Sequence, residues 1–195
     1  MAVTAVVFDV GETLADETRM WSQAADEAGV PRFTLMGVLG GLAARGEHHT
    51  RVWELVEREP GAGTVFLPED LYPDARGCLE RLRAGGYLLG LAGNAPREGY
   101  ASLGLDVDFV ACSAEWGVQK PDPAFFERVA EACARPPAEI AYVGDRVDND
   151  VLPARAAGML AVHVRRGPWG HLHEAPAGSP AIRSLDELPE VLRNA

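Results

Sequence analysis

Short apolar runs alternate with longer amphipathic stretches along most of this chain, and this alternation limits its fold more than any other feature. Five runs rich in Val, Leu and Ile qualify as buried strands, at residues 5–10, 87–92, 108–112, 140–144 and 160–164. Near-continuous apolar strands separated by helices are typical of a parallel sheet covered on both faces. The sequence therefore predicts an α/β fold built on an open, doubly wound parallel sheet.

Apolar residues at helical spacing predict the intervening helices at residues 73–84, 122–134, 150–157 and 185–192. The stretch from 11 to 86 departs from the alternation, because it contains helical patterns at 17–28, 35–44 and 49–58 and a turn-rich segment at 59–68, but no convincing strand. It is far longer than the dozen or so residues that a crossover needs. We therefore expect a core of residues 1–15 and 73–195, with residues 16–72 inserted as a small helical cap over the carboxyl edge of the sheet.

Charge and cysteine usage exclude several classes of protein. The formal net charge is −11, which repels nucleic-acid backbones and anionic lipids, so we expect neither as a partner. No apolar run approaches the roughly 20 residues needed to cross a bilayer. The three cysteines, Cys78, Cys112 and Cys133, are widely spaced and form no metal-binding pair, which predicts free thiols in a reducing cytoplasm. The sequence does not indicate an oligomeric state.

Two aspartates lie at the carboxyl ends of predicted strands. Asp9 ends the first strand and Asp145 ends the fourth, and open α/β sheets bind ligands at this edge. Two carboxylates in one crevice repel each other, and a divalent cation removes that repulsion. Oxygen ligands of this kind suit Mg²⁺, which also accepts substrate phosphate as a ligand.

A single lysine stands out among the basic residues, since the other 17 of the 18 are arginines. Lys120 lies in a loop before a predicted helix, where its ammonium group supplies a compact point charge. Gly93 and Asn94 follow the second strand, and main-chain N–H groups at such a turn can form a hollow that binds anions.

These residues form an ordered set of motifs: Asp9-Val10-Gly11-Glu12-Thr13, Gly93-Asn94, Lys120-Pro121-Asp122-Pro123, and Gly144-Asp145 followed by Asp150. In this order the set resembles the haloacid dehalogenase-like hydrolase superfamily, and the likeness covers nearly the whole chain. The resemblance implies a Rossmann-like core and a helical cap after the first motif. It also implies a Mg²⁺-dependent phosphatase that acts on small phosphorylated metabolites.

The resemblance implies a role for each motif residue. Asp9 is the expected nucleophile and forms an aspartyl-phosphate that water hydrolyses, while Lys120 neutralises Asp9 and the phosphoryl oxygens. The Asp9 carboxylate, the Gly11 carbonyl and the Asp145 carboxylate are the expected Mg²⁺ ligands. Further residues are expected to bind substrate or to support this shell: Gly93 and Asn94 at the phosphoryl group, and Thr13 and Asp150 behind the metal and Lys120.

Two glycines depart from the family pattern. Phosphatases of the family usually carry a second aspartate two residues after the nucleophile, as general acid and base, and here that position is Gly11. Such catalysis contributes typically about 10²- to 10⁴-fold, so we expect low intrinsic activity unless the neighbouring Glu12 acts as a surrogate. The second departure is Gly93, where the family usually has Ser or Thr to hydrogen-bond the phosphoryl group.

These departures leave two alternatives open. A metal-independent 2-haloacid dehalogenase also lacks the second aspartate, although Asp145 is better explained by a metal. A catalytically degenerate member would bind a phosphorylated ligand or a protein partner without turnover. The phosphonate-cleaving branch is excluded, because it needs a cap lysine and position 120 holds the chain's one lysine.

Overall fold

The structure is a computed structural model that describes residues 2–61 and 65–195. Its centre is a parallel sheet with the strand order β3-β2-β1-β4-β5-β6. The strands are β1 (Ala5–Phe8), β2 (Leu88–Gly93), β3 (Phe109–Cys112), β4 (Ile140–Gly144), β5 (Leu160–Val164) and β6 (Ala181–Ile182). The chain winds outward in one direction from β1 to β3 and in the other from β4 to β6. The crevice between β1 and β4, where the winding reverses, is the expected ligand site of such a sheet.

The central strands are buried on both faces, which explains their continuous apolar sequence. Every residue of β1 and β4 is buried. Along β1, Val6 and Phe8 pack into one apolar cluster, while Ala5 and Val7 pack into the cluster on the opposite face. This alternation follows from the two-residue period of a strand. It confirms the predicted α/β fold with a doubly covered parallel sheet.

Helices cover both faces of the sheet and its carboxyl edge. They are α1 (Thr18–Ala28), α2 (Arg32–Ala44), α3 (Val52–Leu55), α4 (Ala75–Ala84), α5 (Arg97–Ala101), α6 (Ser113–Trp116), α7 (Pro123–Cys133), α8 (Leu152–Ala156), α9 (Gly167–Leu172) and α10 (Leu188–Arg193). The start of α7 follows from its sequence, because the Asp122 side chain accepts a hydrogen bond from Ala124 N and Pro123 fits the first turn.

Helices α1 to α3 form an apolar cluster of their own. Leu35, Leu39 and Leu42 of α2 pack with Val52 of α3, and Trp169 of α9 reaches into the same cluster from the sheet side. In the described part of residues 16–72 no strand forms; Leu71 makes an isolated bridge to Ala15. The turn-rich segment predicted at 59–68 includes residues 62–64, which lie outside the described residues. This arrangement supports our proposal that residues 16–72 act as a cap.

The first strand ends two residues earlier than predicted. The Val10 carbonyl accepts hydrogen bonds from the N–H groups of Thr13, Leu14 and Ala15, so the chain turns back directly after Asp9. The sequence prediction extended β1 to Val10 because Val10 is apolar. It is buried in the turn rather than in the sheet.

Other differences concern short elements. The helix predicted at 49–58 is a 3₁₀ turn, His49–Arg51, followed by the four-residue α3. The helix predicted at 150–157 begins instead as a π-helical turn, Val147–Val151, before α8. The sequence does not predict β6, α5, α6 and α9, since elements of two to six residues carry too little periodicity to be recognised.

The three cysteines, Cys78, Cys112 and Cys133, are free and buried. No helix within residues 2–61 and 65–195 combines the length and the apolar character that a membrane span requires.

Candidate active site

Three carboxylates converge at the carboxyl edge of the sheet. Asp9 follows β1, Asp145 follows β4, and Asp150 lies in the π-helical turn after β4. One carboxylate oxygen from each lies within 4.8 Å of the others. The sequence predicted that Asp9 and Asp145 would meet here, and the structure brings them together.

Lys120 is buried among these carboxylates, with a side chain only 2% exposed. Its Nζ donates hydrogen bonds to Asp9 Oδ1 at 2.7 Å and to Asp150 Oδ1 at 2.6 Å. Burial opposes the charge of Lys120, but the charges of Asp150 and Asp9 outweigh it and hold the pKa of the lysine well above its usual value. Lys120 is therefore a permanent cation in contact with Asp9.

Asn94 positions the loop that carries Lys120. Its Oδ1 accepts a hydrogen bond from Lys120 N at 2.9 Å, and its Nδ2 donates to Lys120 O at 3.1 Å. We predicted Asn94 as a substrate-binding residue, but both ends of its amide are engaged in holding Lys120. The contacts of the side chain are those of a positioning residue.

Asp150 contacts Lys120 from the protein interior, in agreement with its predicted supporting role. Its Oδ2 accepts a hydrogen bond from Arg146 N at 3.0 Å, which orients the other oxygen towards Lys120. A Cβ atom at Gly144 would fall 2.5 Å from the Asp150 side chain. Gly144 is therefore required for this close approach between the end of β4 and Asp150.

Asp145 carries the least compensated charge of the site. It is 4% exposed, and its carboxylate has no hydrogen-bond or ion-pair partner among the described residues. Burial, followed by the charges of Asp150, Asp9 and Glu17, raises its pKa well above the usual value. A buried carboxylate without a partner is costly. A divalent cation would remove that cost, and the oxygen donors fit Mg²⁺.

Thr13 and Gly11 lie in the turn between Asp9 and α1. The Thr13 hydroxyl is buried and has no hydrogen-bond partner in the described part of the chain, while the Thr13 carbonyl accepts a hydrogen bond from Arg166 at 2.7 Å. Gly11 borders the cavity above Asp9. The placement of both residues is compatible with the predicted supporting and metal-binding roles.

Both carboxylate oxygens of Glu12 accept hydrogen bonds from nearby protein groups. It adopts a left-handed conformation, with φ at +52°. Its Oε1 accepts a hydrogen bond from Glu17 N at 3.0 Å, and its Oε2 accepts one from Tyr72 Oη at 2.6 Å. Both oxygens therefore bind protein groups, and these contacts give no support to the predicted role of Glu12 as acid and base.

Glu17, which the sequence analysis did not select, occupies the space beside Gly11. A Cβ atom at Gly11 would fall 2.2 Å from Glu17 Oε1. The other oxygen, Oε2, accepts a hydrogen bond from Trp21 Nε1 at 2.9 Å. Burial, followed by repulsion from Glu12, raises the pKa of Glu17 to about 7, whereas the Trp21 hydrogen bond lowers it. A carboxyl group that can exchange a proton near neutral pH therefore borders the site.

The space beside a second glycine, Gly93, is also occupied by a side chain from another element. A Cβ atom at Gly93 would fall 2.4 Å from Tyr100 Oη and 2.8 Å from Asp9 Oδ1. Tyr100 belongs to α5, and its hydroxyl accepts a hydrogen bond from Ala95 N at 2.9 Å. The sequence does not indicate Tyr100 as a site residue, because its pattern does not predict α5. The glycine itself was the available signal, since a glycine at a strand end often marks close approach of another group.

These residues line a cavity of about 530 Å³ between the sheet edge and helices α1 and α2. The sheet side is polar and carries the groups described above. The opposite wall is apolar and is formed by Met20, Trp21, Met36, Leu39, Phe66 and Trp169. The cavity thus combines a charged floor with an apolar wall, and its volume lies in the range of small-ligand pockets.

Two histidines and an arginine connect the apolar wall to the floor. His49 makes edge contacts with Trp21 and Trp169, and the Arg146 guanidinium lies 5.0 Å from the centre of the Trp169 ring. Burial, then the charges of His48 and Arg146, lowers the pKa of His49 to about 4. Arg146 is paired with Asp148 at 2.6 Å.

Comparisons with known proteins agree with this geometry. Residues 3–158 match the model of the family described as haloacid dehalogenase-like hydrolase. The chain is 31% identical to a glyceraldehyde 3-phosphate phosphatase of Methanopyrus kandleri, over 96% of this chain and 91% of the relative. It is 35% identical to a phosphoserine phosphatase of Thermus thermophilus, over 88% of this chain and 76% of the relative.

Among solved structures, the chain resembles an L-2-haloacid dehalogenase from Xanthobacter autotrophicus with a TM-score of 0.70 and 21% identity, over 98% of both chains. At that identity the likeness concerns the fold alone. The sequence relatives named as phosphatases support a phosphatase activity in preference to dehalogenation. With its family model, its relatives and its strand-end carboxylates in agreement, this chain belongs to the haloacid dehalogenase-like hydrolases.

Proposed function

We propose that this protein hydrolyses small phosphate monoesters in a Mg²⁺-dependent reaction, with Asp9 as the nucleophile. The observation that carries the proposal is the position of Asp9, between the Lys120 ammonium at 2.7 Å and the unpartnered carboxylate of Asp145. A carboxylate flanked by a fixed cation and a cation site is suited to phosphoryl transfer, because that reaction depends mainly on positioning and charge stabilisation. Two relatives are named as phosphatases, which supports the same reaction.

The Asp9 and Asp145 carboxylates and the Gly11 carbonyl would hold Mg²⁺. When bound, the ion would neutralise these carboxylates and stabilise negative charge on the phosphoryl oxygens. The fit rests on the donor chemistry, since oxygens of Asp9, Asp145 and Asp150 lie within 4.8 Å of one another and Lys120 pairs with only Asp9 and Asp150 among them.

The chain's own residues would carry out two displacements at phosphorus. Asp9 attacks the phosphorus atom, the bond to the ester oxygen breaks, and an aspartyl-phosphate forms while the alcohol departs. Water then attacks the same phosphorus atom, which releases inorganic phosphate and restores Asp9. Lys120 remains bound to Asp9 and Asp150 and offsets the charge that gathers on the phosphoryl oxygens.

Each displacement needs a proton transfer, and Glu17 is positioned for both. Its Oε1 lies against Gly11, two residues after Asp9, and it has no hydrogen-bond partner among the described residues. The protonated carboxyl would give its proton to the departing ester oxygen, and the carboxylate would then accept a proton from the attacking water. Glu12 is excluded from this role in the proposal, because both of its oxygens accept hydrogen bonds from protein groups.

The cavity favours a substrate whose organic part is neutral and apolar. Its far wall is aromatic and aliphatic, and the cations that border it, Lys120 and Arg146, are paired with carboxylates. His49 is neutral at physiological pH, because its pKa is lowered to about 4. A carboxylate on the substrate would thus face Glu17 and the apolar wall without a free cation, which costs binding energy.

Two separate observations disfavour the alternative functions. A 2-haloacid carries a carboxylate, and dehalogenation without a metal leaves the charge of Asp145 uncompensated. The glycines at 11 and 93 suggest a degenerate binding protein, yet the space beside each glycine is occupied by a polar group, from Glu17 and Tyr100.

The free, buried thiols of the three cysteines support a cytoplasmic location.

The proposal is tested with a matched pair of aryl phosphates, 4-carbamoylphenyl phosphate and 4-carboxyphenyl phosphate, assayed with Mg²⁺ and with a chelator. We expect phosphate release only with Mg²⁺, and a kcat/KM about tenfold or more higher for the neutral ester. Halide release from a 2-haloacid, insensitive to chelator, would support the dehalogenase instead. Absence of turnover together with ligand-induced thermal stabilisation would support the binding protein.

A further inference from the structure

The Tyr100 hydroxyl occupies the space next to the nucleophile that a side chain at position 93 would otherwise fill. The position of a Cβ atom at Gly93 lies 2.4 Å from Tyr100 Oη and 2.8 Å from Asp9 Oδ1. Tyr100 Oη and Asp9 Oδ1 therefore both lie close to the Cβ position of residue 93, at the end of β2. Tyr100 also borders the cavity that contains Asp9 and Lys120.

The hydrogen-bonding state of this hydroxyl leaves its proton available. Tyr100 Oη accepts a hydrogen bond from Ala95 N at 2.9 Å, which fixes the oxygen. Within the described residues no acceptor receives the hydroxyl proton, although a phenol can donate one hydrogen bond. Burial raises the pKa of Tyr100, so the group stays protonated at neutral pH. The proton is therefore free to bind an anionic oxygen in the cavity.

We infer that Tyr100 is a phosphoryl-binding residue, whose hydroxyl donates a hydrogen bond to a non-bridging oxygen of the substrate phosphate and of the inorganic phosphate product. The inference rests on the proposed function, because it requires a phosphate group at Asp9. It explains why position 93 is glycine: any side chain there would collide with the hydroxyl.

The magnitude of the effect follows from the bond type. A hydrogen bond to a charged group contributes about 1.5 to 3 kcal/mol, which corresponds to a loss of roughly 10- to 100-fold in phosphate affinity. A tyrosine with a purely structural role would change the stability of the fold and leave the affinity for phosphate unchanged.

The test measures binding of inorganic phosphate, in the presence of MgCl₂, to wild-type protein and to Tyr100→Phe. Calorimetry gives the Kd, and the phosphate-induced rise in Tm gives a second measure that remains usable if the variant is less stable. We expect Tyr100→Phe to bind phosphate about tenfold or more weakly. Tyr87→Phe is the matched control, because Tyr87 packs against the sheet core and does not border the cavity.

A second variant introduces a new hydroxyl group at position 93 after the Tyr100 hydroxyl has been removed. In Tyr100→Phe combined with Gly93→Ser, the loss of Oη removes the closest contact of a Cβ atom at position 93, but Asp9 Oδ1, at 2.8 Å, must still move aside. We therefore expect phosphate affinity to recover only in part. Phosphate affinity of Tyr100→Phe within twofold of wild type would overturn the inference alone. Failure of the wild-type protein to bind phosphate or to hydrolyse aryl phosphates would overturn the proposed function as well.

Discussion

The Glu17 carboxylate lies against the α-carbon of Gly11, so close that a Cβ atom at position 11 would fall 2.2 Å from Glu17 Oε1. The glycine and the glutamate are thus complementary: one leaves a space and the other fills it with a carboxyl group. Glu17 stands at the start of α1, where two hydrogen bonds fix its position: its main-chain N–H donates to Glu12 Oε1, and its Oε2 accepts from Trp21 Nε1.

Replacing Glu17 with Gln tests whether this carboxyl transfers a proton. Gln keeps the size and the hydrogen bond to Trp21 but cannot give a proton to an ester oxygen. We expect kcat to fall about 10²-fold or more for an alkyl phosphate, whose leaving group needs the proton, and much less for 4-nitrophenyl phosphate. An equal loss on both esters would contradict the proton-transfer role. Glu27→Gln, which likewise removes a carboxylate but from an exposed position of α1, is a suitable charge control.

Replacing Gly11 with Ala tests the same arrangement from the opposite side. The added methyl group must displace the Glu17 carboxyl, because the two would otherwise overlap. We expect Gly11→Ala to lower kcat on an alkyl phosphate to a similar extent as Glu17→Gln. The double variant should be no slower than either single one, since residues that act as one unit are not additive. Multiplicative losses in the double variant would show that the two positions act independently.

Replacing Asp145 with Asn tests the cation site through stability rather than activity. Burial and neighbouring carboxylates raise the pKa of Asp145, so its charge destabilises the metal-free protein. We expect Asp145→Asn to raise the free energy of unfolding without metal by about 1 kcal/mol or more, which is about 2–4 °C in Tm. Mg²⁺ should raise the Tm of wild-type protein and leave that of the variant unchanged. A normal Mg²⁺ response in Asp145→Asn would place the ion elsewhere.

The buried His49 predicts how stability depends on pH. Its pKa is lowered to about 4 in the folded protein, by burial, His48 and Arg146, against the opposing charge of Asp148, and it returns to about 6.5 on unfolding. The unfolded chain therefore binds more protons between pH 4 and 6.5, so stability is lost as the pH falls through this window. We expect His49→Asn to lose less stability than wild type between pH 7 and 5, by about 1–2 kcal/mol. Parallel Tm curves for the two proteins would refute this.

The fold and the charged floor of the site could be predicted because both depend on local pattern. Continuous apolar runs predict buried strands, and residues that follow parallel strands must meet at one edge of the sheet. This reasoning brings Asp9 and Asp145 together, whereas the positions of Lys120 and Asp150 beside them are implied by the family resemblance. The structure holds all four side chains at this edge.

Glu17 and Tyr100 could not be predicted in this way. Glu17 lies just before a helix and Tyr100 lies within one, and both helices start several residues beyond a strand end. The direction of each side chain depends on the turns at 9–17 and 94–97, which have no periodic signal. The sequence around Glu17 predicts only the start of a helix, and α5 has only five residues. The sequence indicates them only indirectly, through the glycines at 11 and 93, which leave space for their side chains.

We expect Asp9 to form a covalent bond with phosphorus, and mass spectrometry of acid-quenched protein tests this expectation most directly. Wild-type protein is mixed with Mg²⁺ and an aryl phosphate, quenched during turnover and digested. We expect the peptide that contains Asp9 to gain the mass of one phosphoryl group, to lose it on treatment with hydroxylamine, and to remain unmodified in Asp9→Asn, which should also be inactive. Phosphate release by Asp9→Asn at the wild-type rate, with no adduct on either protein, would contradict the account.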